Sequence, residues 1–173
     1  MRKVPPDCIQ LIDSSIVRAH QHAASRKRGE DHAIGRSRLE LSTKINAMVD
    51  HRGLPVAITF SPRQDSDKVA VVERLSAHSA PGDVVADRGY DARPSSTSSQ
   101  LMAGGGIFPQ SAKVQRSVDA ALYRQRNLVE RIFNKLSYFR KVAPRYGKTA
   151  RNDLAAVQLA SSRVWLRFYE SLS

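Results

Sequence analysis

Two aspartates in this sequence each close a short apolar run, Cys8 to Asp13 and Val84 to Asp87. Runs of that length and composition are strand-like, and if the two strands are neighbours both carboxylates emerge at one edge of a sheet. Hard carboxylate oxygens there suit magnesium, which takes one or two carboxylates and fills its other positions with water and phosphate oxygens. A third acid, Glu130, lies in an amphipathic stretch, where at about 100° per residue Tyr123, Arg126, Asn134 and Ser137 share its side of a helix. A carboxylate from a covering helix would complete a two-metal site. Each acid also has a plainer reading: an aspartate after a strand commonly serves a turn, and Glu130 with Arg126 makes an ordinary i to i+4 ion pair. Spacing alone leaves both readings open.

The elements that must position these residues follow from periodicity. Residues 41–50 alternate with period two and run through His51-Arg52-Gly53 into a second strand-like run, Leu54 to Phe60, which predicts a hairpin. Asp65 or Ser66 begins a helix to about Ala77, and Pro81-Gly82-Asp83 turns the chain into the strand that ends at Asp87. From about Asp119 to Val142 a helix carries the apolar stripe Leu122, Val129, Ile132, Leu136 and Phe139, with Pro144 ending it. A last helix runs from Asn152 or Asp153 to about Leu172, with Leu154, Val157, Ala160, Val164, Leu166 and Phe168 offering apolar contacts. Between these elements lie a polar, basic, mobile loop over 24–40 and an irregular Ser/Gly-rich segment over 92–106, followed by a short strand at Ile107-Phe108. The order of elements is α/β, and 173 residues at 41% apolar content suit one domain over 1–173.

Charge narrows the partner. There are 28 Lys/Arg against 16 Asp/Glu, net +12, and the excess is concentrated over 110–173, where 13 basic residues face 4 acidic ones. Each Lys or Arg near a phosphate releases condensed counterions, so a polyanion is the favoured partner. Cys8 is the single cysteine, which excludes an intramolecular disulfide and fits a reducing cytoplasm. No apolar run approaches the roughly 20 residues that span a bilayer, so no membrane partner is expected. His20 and His22 could bind a metal, but without further ligands at suitable spacing they read as polar surface.

Longer blocks sharpen the reading. Ile12 to His20, Ala33 to Arg38 and Leu41 to Ile45 resemble the DDE transposases of bacterial insertion sequences, specifically the "IS five" group. Val85 to Asp91 resembles that family's second acidic block and Tyr123 to Arg131 its third, with Arg145-Tyr146 and Thr149 to Asn152 extending the likeness. The three blocks arrive in order across about residues 10 to 167, which makes the match specific. The resemblance implies a ribonuclease-H-like mixed sheet flanked by helices. It also implies that Asp13, Asp87 and Glu130 are the catalytic, metal-binding acids, holding two Mg2+ ions with Mn2+ as substitute, for phosphodiester cleavage and strand transfer during transposition. Arg126 is expected to steady a phosphate or Glu130, and Tyr123 to pack near DNA. Arg36 and Arg38 in the basic loop, with Lys141, Arg145 and Lys148, are the further DNA contacts expected. The implied partners are double-stranded DNA, as element ends and target, with an upstream-frame product and a second copy on DNA. The implied location is the cytoplasm, at the nucleoid.

The chain departs from the family pattern at Leu39-Glu40, where the family has glycines, in the Ser/Gly-rich stretch after Asp91, where it has a helix, and in two further places. Ser137 stands seven residues after Glu130, where the family has a lysine. Lys141 is expected to replace it one turn further along the same face, which Lys135 cannot do. Only twelve residues precede Asp13, where relatives carry a helical region that recognises element ends. These departures motivate the alternative of a non-catalytic DNA-binding remnant or regulator. A basic RNA-binding or structural protein with incidental acids is the third reading, weakened by the few aromatic residues outside predicted core or the acidic blocks.

Overall fold

The computed structural model describes residues 9–23, 33–36, 40–63, 83–86 and 125–173. Strand β1 covers Ile9–Arg18, β2 Gly35–Arg36, β3 Leu41–Asp50, β4 Pro55–Pro62 and β5 Asp83–Ala86, and a 3-10 turn covers Gln21–Ala23. Helix α1 is Asn127–Ser137 and α2 is Ala150–Glu170. The strands form one mixed sheet in the order β2-β3-β1-β5, with β4 also pairing β3. Pairing is antiparallel between β2 and β3 and parallel between β1 and β5. The α/β class expected from the order of elements is therefore present. The expected helix over 65–77, the irregular segment over 92–106 and the strand at Ile107-Phe108 lie outside the described residues.

Asp13 lies inside its strand: of the extension and the turn that the sequence left open after it, the structure takes the extension. β1 continues through Arg18, because Ile16 and Val17 are β-branched and prolong the extended chain. The parallel ladder with β5 is described as far as Ile12 with Ala86. The basic loop also contains structure: Gly35 and Arg36 pair with Ser42 and Leu41.

By packing, the chain divides into two compact units, Met1–Asp13 with Ala47–Ala57 and Ser66–Arg131, and Ser14–Asn46 with Ile58–Asp65 and Ile132–Ser173. β1, β3, β4 and α1 each contribute residues to both. In the first unit, Ile9, Leu11, Ile12, Ala47, Met48, Val49, Leu54 and Val129 are buried. The expected hairpin is present, its turn held by Asp50: Oδ1 accepts hydrogen bonds from the Arg52 and Leu54 amides at 2.9 and 2.8 Å. Gly53 closes the turn at φ +76°, a conformation that L side chains rarely adopt. A Cβ there would lie 3.3 Å from Leu128 Cβ, so the turn supports the first residues of α1.

The second unit is organised by a buried ion pair. The Arg145 guanidinium contacts the Asp153 carboxylate through Nε and donates from Nη1 to Thr43 Oγ1 at 2.6 Å. Thr43 Oγ1 in turn donates to the Ala33 carbonyl at 2.8 Å, and the Gly147 amide donates to Asp153 Oδ1 at 3.1 Å. A Cβ at Gly147 would collide with that carboxylate, which explains the glycine. Two buried charges are tolerated because the pair and its hydrogen bonds offset their desolvation. β3 departs from simple alternation for a related reason. It is buried on both faces between Ser42 and Val49, where the Asn46 side-chain nitrogen donates to Ser61 Oγ at 3.1 Å.

Both helices have boundaries that differ from expectation. α1 ends at Ser137 rather than near Val142, with turns at Phe139 and Val142 following. Continued helix would set Val142 about 240° around the axis from Leu136, whereas leaving it lets both be buried. α2 begins earlier than Asn152, because Thr149 is its N-cap and accepts from the Asn152 amide at 3.4 Å. Its buried stripe is Asp153, Val157, Ala160, Ser161 and Val164. Leu166, expected to make core contacts, is exposed, since it lies about 200° from Val164.

Gly53→Ala should lower stability by about 1–3 kcal/mol in denaturant unfolding, from the strain at positive φ alone. Asp153→Ala, which strands the buried Arg145 charge, should cost about 3–5 kcal/mol by the same measurement.

Candidate active site

The site is assembled within the first unit from β1 and the start of α1. Asp13 lies within β1, one residue beyond the last described pair with β5, and its side chain is only 13% exposed. Arg126 sits in the turn that opens α1, where its carbonyl accepts from the Val129 amide at 3.1 Å. Its Nη2 donates to Asp13 Oδ2 at 3.2 Å across 113 residues of sequence. The same nitrogen is 3.8 Å from Glu130 Oε1. One guanidinium atom therefore stands between two carboxylates, whose oxygens are no further apart than the two contacts laid end to end. Glu130 lies in the first turn of α1, where the exposed amide dipoles favour an acid, and its side chain is 57% exposed.

The shared guanidinium tests what this corner can bind. Two hard oxygen donors already converge on a cationic group, and one or two carboxylates are what a magnesium ion takes from a protein. Asp13 and Glu130 thus fit an oxygen-seeking divalent cation, although the described residues contain no group of three His, Cys, Asp or Glu side chains. Asp87 lies outside the described residues, immediately after Ala86 in sequence.

The other expected site residues are distributed differently. Tyr123 and Arg38 lie outside the described residues, and Arg36 is placed as part of β2. Lys141 and Lys148 are exposed in the second unit, the latter just before the α2 N-cap. Lys141 follows the end of α1, so it does not continue the Glu130 face as expected. Ser137 is exposed and its hydroxyl donates to the Asn134 carbonyl at 2.7 Å. Arg145 must be removed from the DNA-facing set: it is 2% exposed and its guanidinium is committed to Asp153 and Thr43. The link from Arg126 to Asp13 was not legible in the sequence, because the only local signal was the shared helix side of Arg126 and Glu130. Asp153 was legible only as a helix-start residue.

Comparison with known proteins identifies the family. The family model described as "Transposase DDE domain" matches residues 4–165. The chain belongs to that family, the DDE transposases, and within it to those of insertion sequences. A Brucella ovis protein, described by name as a transposase for insertion sequence element IS6501, is 35% identical over 131 residues. That alignment covers 73% of this chain and 100% of the relative. No solved structure matches. Among the described residues, no helix is long and apolar enough to cross a membrane.

A double-mutant cycle between Asp13→Asn and Arg126→Gln should return a coupling of about 0.5–3 kcal/mol in unfolding free energy. The corresponding cycle for Glu130→Gln, whose pair is solvent-screened, should return no more than about 0.5 kcal/mol.

Proposed function

We propose that this chain is the catalytic domain of an insertion-sequence transposase, cutting DNA phosphodiester bonds and joining the freed strand to a target with Asp13, Asp87 and Glu130. The observation that carries the reading is the parallel β1–β5 ladder. It pairs Ile12 with Ala86, and the residues that follow these two in sequence are Asp13 and Asp87. Glu130 joins Asp13 through the guanidinium they share. Membership of the DDE transposase family and the surplus of 12 positive charges support the same conclusion. A ribonuclease-H-like core is part of the proposal, supported by the mixed sheet with its parallel β1–β5 pair.

In this reading the three acids hold two divalent cations, Mg2+ with Mn2+ as substitute. When bound, the cations supply Lewis-acid activation of the attacking oxygen and neutralisation of the departing one. Water, or a DNA 3′-hydroxyl, attacks phosphorus in line as the opposite P–O bond breaks. Asp13, largely buried, offers an oriented oxygen fixed by Arg126, whereas exposed Glu130 has the freedom to turn toward an incoming group. Arg126 also counters the mutual repulsion of the acids and would be the group that steadies a phosphate beside them. Tyr123 packs near the DNA. Lys141, Lys148, Arg36 and Arg38 contribute sequence-independent phosphate attraction. The partners are duplex DNA as element ends and target, an upstream-frame product and a second copy on DNA, and the location is the cytoplasm at the nucleoid. The alternative, a DNA-binding remnant or regulator without cleavage, is favoured by Ser137 in place of the family's lysine.

Nicking of a supercoiled plasmid in Mg2+ or Mn2+ distinguishes the two readings. The parent chain should nick, Asp87→Asn and Glu130→Gln should fall to background, and a chelator should abolish nicking while salt-sensitive DNA binding persists. Binding without nicking by the folded parent would leave the remnant reading in its place.

A further inference from the structure

His20, His22 and Tyr146 form an exposed aromatic corner in the second unit that the three acids leave unexplained. The His20 ring lies 5.0 Å from that of Tyr146, centroid to centroid and tilted by 33°, and 4.7 Å from that of His22 at 72°. Tyr146 is 51% exposed, and both histidines are exposed as well. Exposure of three rings in contact would be costly to hold in place unless the backbone beneath them were fixed, and it is. The His20 amide donates to the Arg145 carbonyl at 2.8 Å, and the Arg145 amide donates to the Arg18 carbonyl at 2.9 Å. The His22 amide donates to His20 Nδ1 at 3.2 Å, which sets the His20 ring and leaves Nε2 as the protonated nitrogen of its neutral form. Under the corner, the buried Arg145–Asp153 pair ties this segment to α2.

From this geometry we infer that His20, His22 and Tyr146 are a stacking platform for an unpaired base of single-stranded DNA. The inference rests on the DNA reading above and adds a strand state to it. Base faces in duplex DNA are already stacked, so a ring platform is useful only where a base has left the helix, as at a cut or unwound end. Flat rings accept any base, and neighbouring cations supply the attraction to the backbone. Here the exposed Lys148 follows two residues after Tyr146, and Arg18, exposed and paired with Glu40 at 3.1 Å, lies two residues before His20. A metal is the weaker occupant of the histidine pair, since no third ligand joins it among the described residues.

The test uses the full chain and a short single-stranded oligonucleotide carrying 2-aminopurine, beside its duplex. Stacking should quench the 2-aminopurine on binding to the parent. Tyr146→Ala should remove the quench and weaken single-strand binding by roughly five- to a hundredfold while duplex affinity is kept. Tyr146→Phe, which retains the ring, should bind as the parent does. Should Tyr146→Ala unfold, His22→Ala carries the same comparison at the edge of the platform. Unchanged single-strand affinity and quench in the folded alanine variant, with duplex binding intact, overturns the platform and leaves the DNA reading standing. A phenylalanine variant as weak as alanine also overturns it, by assigning the contact to the hydroxyl. Failure of the parent to bind either form of DNA overturns both.

Discussion

Parallel pairing of Ile9–Ile12 with Asp83–Ala86 is the constraint on which the candidate site depends. Adjacent parallel strands cannot be joined by a tight turn, so the chain must travel through other elements between them. Here the interval includes the β3–β4 hairpin, with β3 taking the place beside β1 on the side away from β5. That order puts β1 inside the sheet, and its apolar residues Ile9, Leu11 and Ile12 are correspondingly buried. Asp13 follows Ile12, the last described partner in that ladder, and its side chain is 13% exposed.

What it engages is a cation. Arg126 draws Asp13 and Glu130 toward one nitrogen, so a corner that would otherwise be held apart by like charge is drawn together. The arrangement is asymmetric in a useful way. Asp13 is mostly withdrawn from water and fixed, and Glu130 is exposed on a helix and can change rotamer. The hairpin turn contributes to this placement from a distance in sequence, because Gly53 allows Leu128 to approach and so seats the first turn of α1.

The second unit meets a different demand, the accommodation of a basic chain around buried polar groups. Arg145 is buried rather than offered to DNA, and its contacts with Asp153, Thr43 and the Ala33 carbonyl join β3, the residues before β2 and the N-terminal turn of α2. A positive charge counted in the net +12 is therefore spent internally, a reminder that charge totals describe a sequence and not a surface.

Legibility in the sequence followed the range of the interactions. The hairpin, the β5 strand and the existence of both helices were set by local periodicity and turn residues, such as Gly53 at a position that needs positive φ. The family was legible from its ordered acidic blocks, and the family match agrees. Helix ends were read less well: Thr149 as N-cap and the break after Ser137 depend on where Asp153 and Val142 are buried, which is settled by packing. Whether β1 turned after Asp13 or ran on through Arg18 was left open by the sequence, because its parallel partner lies 74 residues away. The ion pairs of Arg126 with Asp13 and of Arg145 with Asp153 lay beyond the sequence for the same reason. Residue type and spacing determine which elements form and which chemistry they carry. Which charge meets which is decided by the fold, since only strand register and burial bring distant side chains within a few ångströms and remove the water that would otherwise screen them.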